Sequence, residues 1–345
     1  MIAPAARWPL AVLPTPLQRV PRFSEALGLE VWIKRDDVGS LPLAGNKVRK
    51  LEYLVAQAMQ AGADTLVAQG AVISNVTRCT AAAASAAGVQ CHLVLGGREP
   101  ERANGNLLVS SLLGAELHFV DIPRFTGPDA WERLHGYTEE LCQRLRQDGQ
   151  HPFLMPVGCS APHGVLGFVA AFDELATQLA EANIEPTRVV HTSTSGGTHA
   201  GLVLGRHLRG HGPPITGVAA ANVYPDLQGR LEELATSAAR LLGHDIGRGV
   251  LGFDVRFDQL GDGYAQPTPA ALAALDLLAR TEGILTDSVY TAKALAALVN
   301  DARARRIEGP VVFWHTGGLP GLFEPAVAAE LWQRQRQNAR HAQPS

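Results

Sequence analysis

The sequence predicts an α/β fold with mainly parallel strands. Three observations carry this. Short apolar runs alternate with amphipathic stretches along the chain, the order expected of strand–helix–strand units. Gly and Pro clusters, such as Gly210–Pro214 and Gly261–Pro269, mark turns between them. Apolar residues make up 46% of the 345 and charged residues 18%, enough for a large buried core, and the length allows two domains.

In chain order, the first predicted helix is Lys47–Ala61, with Leu51, Leu54, Val55 and Met59 at three-to-four spacing. A strand at Thr65–Ala68 precedes a helix at Asn75–Ala87, and a strand at Cys91–Leu95 precedes a helix at Asn106–Leu113. The apolar runs Leu117–Val120 and Phe153–Pro156 read as strands, followed by a helix at Leu166–Ala180. Then come strand Arg188–His191, helix Thr198–Leu208 and strand Ile215–Ala219. Helices at Leu227–Leu242, Pro269–Thr281 and Thr291–Arg305 lead to a last strand, Val311–Trp314. There is no internal repeat or low-complexity linker, and the polar tail from Arg334 to Ser345 is expected to fray.

A net charge of −3 disfavours a nucleic-acid or anionic-membrane partner, which would want a basic face. No window approaches 18 uninterrupted apolar residues, so no membrane span is expected. Residues Met1 to Pro16 carry no basic run ahead of an apolar one, so no secretion signal is expected either. Cys79, Cys91, Cys142 and Cys159 are scattered, without metal-ligand spacing, and read as reduced, mostly buried thiols of a cytoplasmic protein.

Two segments carry chemistry together. The apolar run Arg188–His191 ends in Thr194-Ser195-Gly196-Gly197-Thr198, which opens a helix. Converging backbone N–H groups and the positive end of the helix dipole make such a turn a phosphate cradle, and three hydroxyls add donors. By itself the turn could equally be a helix cap with glycines that relieve crowding. The second segment is Asn46-Lys47, on a separate Gly-rich loop heading a helix. A lysine there is unfavourable as a cation, and Arg49 and Lys50 crowd it further, which suits an amine that must be neutral to attack an aldehyde. Phosphate cradle and nucleophilic lysine together point to pyridoxal 5′-phosphate (PLP), with no metal.

Leu13–Leu17, Trp32–Asp37, Gly45–Tyr53, Gly70–Arg78, Ser195–Gly201, Val289–Lys293 and His315–Gly318 resemble, in order, segments of the PLP-dependent 1-aminocyclopropane-1-carboxylate (ACC) deaminase / D-cysteine desulfhydrase family. The resemblance runs over about residues 10 to 325. It implies a tryptophan-synthase-β-like fold, two open twisted parallel-sheet domains flanked by helices with PLP in the cleft between them. Residues 48–160 would form the smaller domain, and 1–47 with 161–345 the larger one that holds the phosphate loop. A homodimer is the family's habit.

The resemblance also implies roles. Lys47 matches the lysine that holds the cofactor's aldehyde carbon and serves as base for the substrate Cα or Cβ proton. Lys50, Thr194, Ser195, Gly196, Gly197 and Thr198 fall among the cofactor-binding positions. Asn75 matches the side chain near the cofactor's 3′-oxygen, and Ser74-Asn75-Val76 the turn that receives the substrate carboxylate at a helix N-terminus. Ser74 matches a hydroxyl near the reacting carbons. Tyr290 matches a tyrosine packed on the pyridine ring, with its phenol available for proton transfer. Thr316 matches a hydroxyl near the pyridine nitrogen, where a neutral donor makes a weaker electron sink than a carboxylate would. His315 reads as a structural histidine rather than a proton carrier.

Several residues depart from the pattern. Thr291 stands where ACC deaminases carry Glu, as in the D-cysteine desulfhydrase branch, and argues against cyclopropane ring opening. Ala44 replaces a glycine before Gly-Asn-Lys. Ile73 and Val76 replace polar residues around Ser-Asn, which implies a more apolar pocket. Ser288 stands where a proline is common. The expected activity is β-elimination from a small amino acid, D-cysteine desulfhydrase-like, releasing pyruvate, ammonia and a leaving group such as sulfide. The rivals are ACC deaminase, a β-replacement enzyme, and a PLP-binding protein without turnover.

Overall fold

The computed structural model describes residues 6–341 apart from 39–40, 42, 44, 123–127 and 223, so Ala44 and the tip of the tail lie outside the described residues. Two sheets organise the chain. The first is six-stranded, in the order β1 (Leu17–Arg19), β2 (Val31–Arg35), β10 (Val311–His315), β7 (Arg188–Ser193), β8 (Ile215–Ala219), β9 (Asp254–Arg256). All its pairings are parallel except β1 on β2. The second is four-stranded and parallel, in the order β5 (Glu116–Val120), β4 (Gln90–Gly96), β3 (Thr65–Ala71), β6 (Pro152–Leu154).

Helices cover both faces of each sheet, as parallel strands require. On the six-stranded sheet, Val312 and Trp314 of β10 pack into a layer with α6 (Pro162–Ala182), α7 (Gly197–Arg209) and α8 (Leu227–Leu241). Their neighbours Val311 and Phe313 point the other way, into α1 (Pro21–Leu27), α9 (Pro269–Glu282) and α10 (Thr291–Arg303). The alternation is the period of two that a pleated strand imposes. On the four-stranded sheet, Leu66, Leu93 and Leu95 face α2 (Asn46–Gln60) and α3 (Asn75–Ala87). Val67 and Val94 face α5 (Pro128–Gln147).

The elements expected from sequence are present, with corrected ends. The Phe153–Pro156 strand is Pro152–Leu154, because the chain turns at Pro156 into a 3₁₀ turn over Val157–Cys159. The helix expected from Leu166 begins four residues earlier, with Pro162 in its first turn. Gly164 sits in that turn because a Cβ there would stand 2.3 Å from the Cys159 carbonyl oxygen. The tail expected to fray from Arg334 is instead part of α11 (Pro325–His341). Six elements give too little signal in sequence. Among them β1 and β9 are three residues long, and β2 buries a lysine. The 20-residue α5 is mostly polar, with Gly136 inside and an apolar stripe of Leu134, Leu141, Cys142 and Leu145. α4 (Gly105–Leu112) was expected within one residue of its position.

Candidate active site

The helix α2 carries Lys47 in its first turn. Its entry is fixed from outside the helix: Asn46 N donates to the Thr316 carbonyl at 3.1 Å, and Gly45 bridges Gly317. Gly45 has φ 137°, and a Cβ there would lie 2.9 Å from the Thr316 oxygen, so only glycine suits this close approach. Two residues past Lys47, Arg49 is clamped by the Asp36 and Glu174 carboxylates, each at 2.9 Å. Asp36 also accepts from Trp314 Nε1 at 2.8 Å, and Glu174 pairs with buried Lys34. This network ties β2, β10, α2 and α6 together behind the lysine.

Lys47 Nζ donates to Asn46 Oδ1 at 2.9 Å, and Asn46 Nδ2 donates to Thr198 Oγ1 at 3.0 Å. The Lys47 amine therefore connects to the Gly-rich turn through one side chain. Burial lowers its pKa below the ordinary lysine value. That corrects the expectation that crowding by Arg49 and Lys50 does so: burial is the main cause, and the Arg49 charge is already neutralised by two carboxylates.

Lys47 lines two adjoining cavities. The smaller, of about 510 Å³, also contains Lys50, Ser74, Asn75, Val76, Thr194, Ser195, Gly196, Thr198, Tyr290 and Thr316. The sequence-predicted residues thus converge, and Gly197 adjoins them as the first residue of α7. A Cβ on Gly197 would lie 2.6 Å from Ser160 Oγ and 3.1 Å from Lys50 Nζ, so the turn and both side chains face one point. Gly197 N donates to Ser160 Oγ at 3.1 Å, and Ser160 Oγ shares a 2.8 Å hydrogen bond with Ser195 Oγ. Arg230 steadies the loop, donating to the Ser195 and Ser160 carbonyls at 3.2 Å.

Two observations test whether this end suits a phosphate. Lys50 is 1% exposed, yet its hydrogen bonds among the described residues go to neutral oxygens, Gly158 O at 3.3 Å and Ser160 Oγ at 3.4 Å, with the Phe168 ring at 5.9 Å. Burial, helped by repulsion from Lys47, pushes its pKa well below the usual lysine value. The hydroxyls of Ser193 and Thr194 line the same cavity, buried and without a hydrogen-bond partner among the described residues. A buried cation lacking an anion and two orphaned hydroxyls at a helix N-terminus are what a bound phosphate would satisfy. The residues fit the group.

On the opposite wall, Ser74 caps α3 and its Oγ accepts from Val76 N at 3.3 Å. Gly70 permits this, since a Cβ would lie 2.9 Å from Ser74 Oγ. Asn75 Oδ1 accepts from Asn106 Nδ2 at 3.1 Å, and the same amide donates to the Ile73 carbonyl at 2.7 Å. In the first turn of α3 the Val76 N–H is taken by the Ser74 hydroxyl and the Ser74 N–H by the Ala71 carbonyl, so an anion arriving here would compete with the Ser74 cap for the Val76 N–H.

Tyr290 caps α10, whose start is held by Asp287 accepting from the Val289, Tyr290 and Thr291 amides at 2.7 to 2.9 Å. Its phenol hydrogen-bonds Tyr264 at 2.6 Å, with the two rings edge to face. Burial and Tyr264 raise the Tyr290 pKa well above the usual phenol value. Tyr264, Ser160 and Arg230 had no motif to reveal them. All three sit in loops or on a helix face whose role depends on tertiary contact. His315 is buried, paired with the Leu285 carbonyl at 2.9 Å and with Gly317 N at 3.2 Å, a structural histidine as expected. Thr316 reaches the cavity floor, 3.4 Å from the Thr291 hydroxyl.

The larger cavity, of about 1660 Å³, opens from Lys47, Ser74, Val76 and Tyr290 toward Trp131, Val157 and Leu260. Two parallel sheets with a lysine and a phosphate cradle facing a common cleft define a PLP enzyme of fold type II. A family model for pyridoxal-phosphate dependent enzymes matches residues 9–317, and the chain belongs to that family. It is 39% identical over 317 residues to a D-cysteine desulfhydrase of Klebsiella pneumoniae (strain 342), spanning 90% of this chain and 93% of the relative. A crystal structure of an ACC deaminase homologue superposes with TM-score 0.87 at 34% identity, covering 96% of this chain and 97% of the other. The processed threonine deaminase isoform 2 of Solanum lycopersicum shares the fold at TM-score 0.67 and 15% identity, over 94% and 83% of the two chains. PLP is the cofactor, and among the described residues no helix is long and apolar enough to cross a membrane.

Proposed function

We propose that this chain is a PLP-dependent lyase that eliminates the β-substituent of a small amino acid, with D-cysteine the first candidate. Hydrolysis of the product would give pyruvate and ammonia, and the leaving group would depart as sulfide. The reading rests on one observation: the Lys47 amine lies where the phosphate-suited cavity meets the larger cleft, with Ser74 and Tyr290 on both linings. The similarity to the D-cysteine desulfhydrase over most of both chains supports it.

Bound PLP would supply an electron sink conjugated to the substrate Cα. Lys50, Thr194, Ser195, Gly196, Gly197 and Thr198 would hold its phosphate, Asn75 its 3′-oxygen and Thr316 the ring-nitrogen side. Lys47 would take the substrate Cα proton, because burial favours its neutral amine. The N-terminal turn of α3, from Ser74 to Val76, binds the substrate carboxylate and sets the Cα–H direction. Tyr290 stays un-ionised and can donate a proton to the departing group. Walls such as Val76, Trp131 and Val157 exclude water.

The domain division at 48–160 belongs to the same proposal, since all four strands of the smaller sheet fall inside it. A homodimer is supported by exposed Leu108 and Leu112 on α4 and Phe323 on a second 3₁₀ turn, Leu319–Phe323, packed beside it. Four buried free thiols suit a reducing cytoplasm.

The purified PLP-loaded protein should be given D-cysteine, L-cysteine, β-chloro-D-alanine and ACC, with keto acid, ammonia and sulfide measured. Pyruvate with sulfide from D-cysteine is expected. Only 2-oxobutyrate from ACC would move the assignment to a deaminase, and no pyruvate from any substrate, but a β-substituted amino acid once a thiol is added, would move it to a β-replacement enzyme.

A further inference from the structure

The smaller sheet carries a second cluster of chemistry-bearing side chains that the active site does not use. His92 on β4 is in register with Glu116 on the edge strand β5, and His118 stands two residues further along β5. With a strand period of two, all three side chains project on one face, the face that α5 covers. His118 stands beside the Tyr137 ring there, with centroids 6.3 Å apart.

Their atoms converge. His92 Nδ1 and His118 Nε2 are 3.0 Å apart, and the Glu116 carboxylate oxygens stand 3.7 Å from the first and 3.5 Å from the second. Tetrahedral zinc with nitrogen and oxygen ligands near 2.1 Å separates neighbouring ligand atoms by about 3.4 Å. The two histidine nitrogens, which share a hydrogen bond at 3.0 Å, stand a few tenths of an ångström inside that value; a cation would replace the shared proton, and the exposed carboxylate would turn to bring one oxygen onto it. Burial orders the ligands unequally: His92 and His118 are largely enclosed, whereas the Glu116 side chain is 65% exposed. Two fixed imidazoles plus a carboxylate free to swing in leave one position for water. Arg144, over the Tyr137 ring at 5.6 Å, is a neighbouring cation that the Glu116 charge offsets.

We propose that His92, Glu116 and His118 form a binding site for a divalent cation of the zinc type, at the outer edge of the four-stranded sheet. It is separate from the catalytic cleft. The cleft is lined by Gln69, Gly70 and Ala71 at the C-terminal end of β3, whereas His92 pairs with Val67 nearer its start. Two residues at about 3.3 Å each put about 7 Å along β3 between Val67 and the first of them, and the cluster lies further out, on β4 and the edge strand β5. The two histidines lock the edge strand β5 to β4 when they share an ion, so occupancy stabilises the small sheet without touching the reaction.

The test uses the PLP-loaded protein, stripped with chelator and titrated with Zn²⁺ against a chromophoric competitor, alongside thermal unfolding. One ion per chain and a raised Tm are expected. Glu116→Gln, exposed and harmless to the fold, should weaken binding about 10-fold or more, in the range that ligand-sphere changes produce. His118→Asn should abolish both the binding and the Tm shift while the cofactor absorbance and elimination rate remain. Co²⁺ should give the intense d–d absorption of a tetrahedral site in the wild type and not in His118→Asn. Failure of the wild type to bind, or undiminished binding in both variants, would overturn the proposal. Neither result would bear on the lyase reading.

Discussion

Tyr264 and Tyr290 share a 2.6 Å hydrogen bond between their phenol oxygens, across an edge-to-face pair whose centroids are 5.9 Å apart. Tyr264 comes from the loop ahead of α9 and Tyr290 from the cap of α10, and both line the larger cavity. One phenol must donate to the other, so one O–H proton remains to be directed into the cleft. Burial raises the Tyr264 pKa to about 12 and that of Tyr290 well above 10, so both remain protonated at neutral pH. Tyr264→Phe removes the partner that orients Tyr290. It should lower kcat about 10- to 100-fold, toward the lower end of a general acid's worth, with a small change in KM. Tyr290→Phe should cost at least as much. Equal kcat in all three proteins would remove the phenol pair from the reaction.

Lys50 makes a two-way prediction. Its buried amine has no carboxylate partner among the described residues and burial lowers its pKa, so burying it, and holding a proton on it, costs stability in the cofactor-free protein. The same charge should strengthen phosphate binding. Lys50→Met should therefore raise the Tm of the apoprotein and weaken PLP binding by about 10- to 100-fold, the loss of one charge-assisted hydrogen bond. Equilibrium dialysis and calorimetry on the two apoproteins would measure both. A variant with lower apo Tm and unchanged affinity would place the phosphate elsewhere.

Behind the cleft, Glu174 is held by Arg49 and Lys34, and its pKa falls from 4.5 to about 2. A carboxylate depressed in the folded state contributes stability that is present above the unfolded value of 4.5 and is lost as pH falls through about 2. Glu174→Gln leaves Arg49 with Asp36 alone and Lys34 without its carboxylate. It should destabilise the protein by about 3–5 kcal/mol at pH 7, the cost of breaking a buried ion pair. The gap from wild type should narrow steadily in denaturant melts taken between pH 4.5 and the acid limit. A gap independent of pH would show that packing, not charge, holds this network.

These three sites differ in how far the sequence disclosed them. Local pattern located the turn from Thr194 to Thr198 and the lysine at 47, because a strand end, glycines and a helix start are contiguous in sequence. The helices and strands of the βα units were legible for the same reason, since each buries its own apolar stripe. The partners of those residues were not. Ser160, Tyr264 and Arg230 lie 26 to 35 residues from the groups they touch in Ser195 and Tyr290, and no periodicity links them. α5 was missed because its apolar stripe is narrow and its first residues are polar, though it covers one face of the smaller sheet. The cause of the Lys47 pKa shift was also misjudged. Adjacent basic residues in sequence suggested repulsion, whereas folding sends Arg49 to Asp36 and Glu174 and leaves burial to act on Lys47.

Thr291, fully buried, donates its hydroxyl to the Gly317 carbonyl at 2.6 Å and lies 3.4 Å from the Thr316 hydroxyl. Thr291→Val leaves that carbonyl unpaired and should cost about 1–3 kcal/mol in stability. Thr291→Glu brings a carboxylate to the Thr316 hydroxyl and raises the electron demand that ring opening needs. The wild type should release no 2-oxobutyrate from ACC, and the Glu variant should release some while losing elimination from D-cysteine. Robust ACC turnover by the wild type would show that Thr291 does not separate the two chemistries.

Lys47, partly buried, and Lys50, fully buried, compete on α2 for the cofactor's aldehyde carbon, and geometry separates them. Lys50 lies one turn further into the helix, and its nitrogen is directed to Gly158 and Ser160, beside the cradle where the phosphate would sit. Lys47 sits at the mouth of α2, bonded among the described residues to Asn46, and lines both the phosphate-suited cavity and the substrate cleft. One nitrogen is therefore placed for charge and the other for attack. Burial lowers both pKa values, so basicity alone does not choose between them. Borohydride reduction of the loaded protein, followed by peptide mapping, should place the cofactor's mass on Lys47 and leave Lys50 unmodified. Lys47→Ala should bind PLP without the visible absorption of the covalent form and turn over no amino acid. A reduced adduct on Lys50, or a visible band that survives Lys47→Ala, would transfer the covalent role to the inner lysine and leave Lys47 without its function as base.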